Sequence, residues 1–191
     1  MVPFRVLSLD GGGMRGIYTA QYLASVSDGF SQRLKKRRFD VGKGFDLIVG
    51  TSTGAIVACA LAAAVPLQDV VDLYRKNGKL IFPRRLPSNM GVGLARDLYK
   101  RPSALKKGSA ALEEALSTCF QKETMGDLYQ RRGIAVAITA VNLSNHRSWV
   151  FKTPHLANSN HRDDRYRLVD VCLASSAAPI FRSIAAVSFP D

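Results

Sequence analysis

The stretch "FDLIVGTSTGAIVACALAAAV", Phe45–Val65, decides the fold. Phe45–Gly50 is a short apolar run, the signature of a strand buried on both faces. Thr53–Ala64 reads as a helix, and the apolar run Ala55–Val65 is much shorter than the roughly 20 residues a membrane-spanning helix needs, so that helix is a buried one. Between strand and helix lies "GTSTG", Gly50–Gly54, which fits G-x-S-x-G. A serine on a sharp strand-to-helix turn takes a strained backbone conformation with its oxygen exposed. Gly50 and Gly54 leave room where bulkier residues would crowd that turn. The helix from Thr53 aims its positive end at Ser52, and the Thr53 N–H can donate to a developing oxyanion. The plainer alternative is a tight turn that uses small residues only for packing.

Elements of the same kind flank this unit. Phe4–Leu9 reads as a strand, followed by the glycine turn "DGGGMRG", Asp10–Gly16. A helix from about Met14 to Asp28 follows, with Ile17, Ala20, Leu23 and Ala24 as its buried face and Gly29 as its stop. Pro66 opens a further helix to about Asn77, stopped by Gly78. Ser88–Pro102 reads as a surface loop and Ser109–Phe120 as a helix. Gly133–Asn142 and Ser148–Lys152 read as strands, Pro154–Arg165 as a loop, and Arg167–Ala178 as a helix ended by Pro179. Strands alternating with helices predict an α/β fold: one domain with a largely parallel central sheet and helices on both faces.

The glycine turn has two readings. Gly11, Gly13 and Gly16 formally spell G-x-G-x-x-G, as in a nucleotide-binding module. A dinucleotide site also needs an acid at the end of the next strand, and that strand ends instead in "VGTSTG". No G-K-[S/T] of a Walker loop follows either. The second reading uses both glycine stretches. Turns after neighbouring parallel strands lie at one sheet edge, so the N–H groups of Gly11, Gly12 and Gly13 would complete an oxyanion hole beside Ser52. Arg15 would fix this loop, attract an anionic head group, or simply form a surface ion pair.

The chain has 191 residues, 47% hydrophobic, with net charge +12 from 27 Lys and Arg against 15 Asp and Glu. Basic runs at Arg33–Arg38, Arg75–Lys79, Pro83–Arg85, Lys100–Lys107 and Gln130–Arg132 suit an anionic partner, unless each is only a solvated face. The start "MVPFRVLSLD" lacks the features of a signal peptide, and Cys59, Cys119 and Cys172 read as reduced core thiols. These point to a cytoplasmic protein. His146, His155 and His161 with Asp163, Asp164 and Asp170 are the material for a Ser–His–Asp triad, but all three histidines fall in polar stretches. His155, His161, Asp163 and Asp164 match no standard metal spacing.

Taken together, "DGGGMRG", "GTSTG" and "ASSAAPIF" (Ala174–Phe181) resemble the motifs of the patatin-like phospholipases, in the family's order and over almost the whole chain. The resemblance implies a lipid acyl hydrolase with Ser52 as nucleophile, a glycine-rich oxyanion hole and no cofactor. It further implies a Ser–Asp dyad whose Asp stands in an Asp-Gly motif after the S-A-A-P segment. No such motif follows Pro179, and Asp191 after "SFP" is a poor match, so the base is expected beyond residue 191 and the domain is expected to be incomplete. The expected partner is a phospholipid membrane surface, met peripherally, rather than a nucleic acid. The opening "VLSLDGGGMRGIYTAQYL" also resembles bacterial members that act as cyclic-nucleotide-activated phospholipases in anti-phage defence, which implies a cyclic-nucleotide activator.

Overall fold

The computed structural model describes residues 3–81, 92–177 and 184–187, with side chains described outside 92–101. The S-A-A-P segment from Ala178 onward, the Pro83–Arg85 run and Asp191 lie outside the described residues. The first unit is β1 (Val6–Leu9), a 3-10 turn (Gly13–Arg15) and α1 (Gly16–Arg33). After a second 3-10 turn (Val41–Gly44) come β2 (Leu47–Thr51), α2 (Thr53–Ala63), α3 (Leu67–Ile81), α4 (Val92–Phe120) and α5 (Met125–Arg132). β3 (Ala135–Asn142), β4 (Arg147–Lys152) and α6 (Leu168–Ser176) complete the order.

The four strands form one sheet in the order β1-β2-β3-β4. β1, β2 and β3 are parallel, and β4 returns antiparallel to β3. The largely parallel α/β sheet is thus the one expected. Leu7, Ile48 and Val136 share one row, and Leu9, Gly50, Ile138 and Phe151 share another. The sheet meets α2, which is buried along its whole length. α2 touches β1, β2 and β3 and each of the other described helices. A helix apolar all round is stable only where every side is covered, and burying Ile56, Val57 and Leu61 in it is worth about 1.5–3 kcal/mol for each side chain. β1, β2 and β3 are parallel and step in one direction across the sheet, and crossovers of one hand between strands so ordered place their connecting helices on one face. The expectation of helices on both faces is therefore met on one face among the described residues. On the other, Val6 and Val141 are 51% and 66% exposed.

Several boundaries differ from expectation. α1 passes through Gly29 to Arg33, and Lys35, at φ 50°, takes the left-handed position after it. A Cβ on Gly29 would meet nothing within 4 Å, so it is an ordinary exposed helix position and no stop. α3 likewise runs through Gly78, where a Cβ would lie 2.9 Å from Sδ and Cε of Met14. Gly78 is small there to seat Met14 of the glycine turn. The expected loop Ser88–Pro102 is corrected from Val92 onward: that part begins α4, with Pro102 inside the helix. Intrinsic propensity disfavours Gly93 and Pro102 in a helix; the packing of α4 along α3 overrides it. α5 has no counterpart among the expected elements. Its signal is a capping box: the Thr124 hydroxyl accepts the Asp127 N–H at 3.1 Å, and Asp127 Oδ2 accepts the Thr124 N–H at 3.1 Å.

Candidate active site at the carboxyl edge of the sheet

β1 and β2 are parallel neighbours, so the turns that leave them share one edge. β2 ends at Thr51 and α2 begins at Thr53, which leaves Ser52 alone to reverse the chain. Ser52 does so at φ 55° and ψ −120°, a region that non-glycine residues occupy only under restraint. The two flanking glycines are required by space. A Cβ on Gly50 would lie 2.6 Å from Cα of Ala55, and one on Gly54 would overlap the Leu9 carbonyl oxygen. These contacts go beyond a small-residue turn: they press the elbow against β1.

The glycine turn meets the same point. A Cβ on Gly11 would stand 3.0 Å from Cβ of Ser52 and 3.1 Å from the Thr51 carbonyl oxygen. One on Gly16 would stand 2.8 Å from Cβ of Thr53. Gly13 has φ 57°, the left-handed region that favours glycine. The buried Thr53 hydroxyl accepts the Gly12 N–H at 3.2 Å and ties the two loops together. That bond engages Gly12, whereas among the described residues the N–H groups of Gly11, Gly13 and Thr53 have no hydrogen-bond acceptor. Thr51 and Thr139 share a hydroxyl–hydroxyl bond of 2.8 Å at the same edge. Arg15 is exposed beside this loop and makes no ion pair with a described residue.

One partner has no forerunner in the sequence reading. The Ser52 N–H donates to Oγ of Ser175, on the last turn of α6, at 2.8 Å. "ASSAAPIF" points to this neighbourhood but not to which of its two serines faces the elbow. Among the described residues the Ser52 hydroxyl itself has no hydrogen-bond partner.

The histidines are not brought to Ser52 by any described hydrogen bond. His155 lies at the opposite edge of the sheet, lining a cavity of about 410 Å3 with Phe45, Asp46, Ile134 and Ala135. Its Nδ1 is 2.8 Å from the Thr153 carbonyl oxygen. His161 pairs with Asp164 at 2.7 Å, and His146 is exposed in the β3–β4 turn. Buried Asp163 accepts from the Lys152 N–H at 3.0 Å and pairs with Arg162 at 2.8 Å. Asp170 pairs with Arg167 at 2.7 Å. These aspartates serve structural pairs. The cysteines are free thiols, two of them buried. Cys59 of α2 and Cys172 of α6 meet, and their hydrogen bond, with burial, pushes the Cys172 thiol well up from its ordinary range. Cys172 stays a protonated core group.

Comparison with known proteins gives a consistent picture. Residues 7–189 match the patatin-like phospholipase family. A cGAMP-activated phospholipase of Pseudomonas aeruginosa is 38% identical over 187 residues, covering 95% of this chain and 49% of the relative. A cGAMP-activated phospholipase of Vibrio cholerae is 37% identical over 183 residues, covering 93% and 48%. A cUMP-AMP-activated phospholipase of Escherichia coli is 30% identical over 148 residues, covering 78% and 37%. The chain spans about half the length of the first two.

Proposed function

This chain belongs to the patatin-like phospholipase family, and we propose that its protein hydrolyses phospholipid ester bonds with Ser52 as nucleophile. The observation that carries the reading is the strained Ser52 turn lying against a glycine loop with unbonded N–H groups. Ser52 Oγ attacks the ester carbonyl, and the carbonyl oxygen becomes an oxyanion. The N–H groups of Thr53, Gly13 and Gly11 hold that oxyanion; Gly12, engaged by Thr53, instead braces the loop. The proton of Ser52 goes to an aspartate carboxylate supplied from outside the described residues. That acid protonates the leaving alcohol, and water then releases the acyl group.

The net charge of +12 supports docking on anionic phospholipid, a contact that added salt weakens. No described helix is long and apolar enough to cross a membrane. The proposed contact is peripheral, made by a basic surface from the cytoplasmic side. The relatives named for activation by cGAMP or cUMP-AMP support a cyclic-nucleotide activator for the whole protein. The test uses full-length protein, an anionic phospholipid vesicle and a short nitrophenyl ester, with and without cGAMP. Hydrolysis and fluorophosphonate labelling are expected, and Ser52→Ala abolishes both. Wild-type turnover in Ser52→Ala would sink the reading.

A further inference from the structure

Ser52 is 123 positions from the residue that holds its backbone. A non-glycine residue at φ 55° and ψ −120° persists only where its surroundings over-determine it. Both backbone groups of Ser52 are tied. Its carbonyl accepts the Ala55 N–H at 3.0 Å, a bond local to the first turn of α2. Its N–H is taken by Oγ of Ser175 at 2.8 Å, from a helix that packs on α2 and β3. We propose that Ser175 is a positioning residue: its hydroxyl accepts the Ser52 N–H, holds the nucleophile in its strained turn, and withdraws that N–H from oxyanion binding. The inference rests on the proposed hydrolase reading.

The neighbouring serine shows that this bond is a specific use of the side chain. Serines in helices commonly return their hydroxyl to a carbonyl one turn back. Ser176 does this, donating to the Cys172 carbonyl at 2.8 Å. Ser175 reaches off the helix instead and acts as an acceptor. Its target is the nucleophile's own backbone N–H, which a hydrolase of the chymotrypsin type uses in its oxyanion hole. Here the donors left for that purpose are Thr53 and the glycine loop.

The experiment compares full-length wild type with Ser175→Ala, Ser175→Cys and Ser175→Thr. Cysteine keeps the size but is a weak acceptor; threonine keeps the hydroxyl. Four quantities are read: kcat and KM for a short nitrophenyl ester, the rate of Ser52 labelling by a fluorophosphonate, and amide hydrogen exchange at Ser52. Ala and Cys are expected to lower kcat and labelling roughly 10- to 100-fold with KM within about twofold, and to speed Ser52 exchange by a similar factor. Thr is expected to restore most of each. The proposal is overturned if Ala and Cys exchange and react like wild type, or if Thr fails where Cys succeeds. A wild type that neither turns over the ester nor labels at Ser52, with or without added cGAMP, overturns the hydrolase reading, whereas the exchange comparison still decides the Ser175 bond.

Discussion

Gly54 lies so close to Leu9 that a Cβ on it would overlap the Leu9 carbonyl oxygen. The atom it would meet is backbone, fixed in the β1–β2 pairing, so it cannot yield as a side-chain tip would. Gly54→Ala is therefore expected to destabilise the fold by about 3 kcal/mol, the upper end of ordinary overpacking. The midpoint of unfolding in guanidinium measures this. An unchanged midpoint would mean that β1 and the elbow separate easily.

Gly29 makes the opposite case. It lies inside α1, and a Cβ added to it would meet nothing within 4 Å, so alanine there costs no contact. Gly29→Ala should stabilise by about 0.5–1 kcal/mol, by removing backbone freedom from the unfolded chain. The same denaturation assay decides it, and a loss of stability would show that Gly29 is a true helix stop.

Thr53 is expected to matter through its hydroxyl as well as its N–H. Thr53→Val keeps the shape but removes the acceptor of the Gly12 N–H; Gly12 is exposed, so water replaces it and the cost is about 0.5–1.5 kcal/mol. Labelling of Ser52 by a fluorophosphonate should fall ~10-fold or more as the glycine loop loosens. Thr53→Ser should behave nearly as wild type. Equal labelling of all three proteins would show that the hydroxyl plays no part.

Asp46 predicts a pH dependence. The Arg5 N–H donates to its Oδ2 at 2.7 Å, and this bond chiefly holds the Asp46 carboxyl below its ordinary range. A carboxyl lowered on folding adds stability above its unfolded pKa of about 3.9. That contribution disappears as pH falls through the folded value. Asp46→Asn should thus be less stable than wild type at pH 7, with the gap closing below about pH 4. A gap that stays constant down to about pH 2 would assign the effect to packing.

The unit Phe45–Val65 is legible in the sequence because its information is local. An apolar run, two glycines around a serine and an apolar helix define strand, turn and helix within one short stretch, and the turn's strain follows from its own geometry. The buried face of α1 is legible for the same reason, since Ala20 and Ala24 lie one helical turn apart. The stops expected at Gly29 and Gly78 are absent, because a glycine signals either a helix end or a close neighbour and sequence does not separate the two. Gly78 answers Met14 on another element.

What the sequence determined by itself was the class of the fold, the elbow at Ser52 and the glycine turn that belongs beside it. What the tertiary structure alone decided was how those pieces are held. Strand order put the connecting helices on one face of the sheet, through the handedness of the crossovers. Packing of α6 on α2 brought the Ser175 hydroxyl to the Ser52 N–H, and docking of the two turns gave Gly12 to Thr53. Such bonds join residues far apart along the chain and depend on distances of a few ångströms, which no spacing in the sequence records.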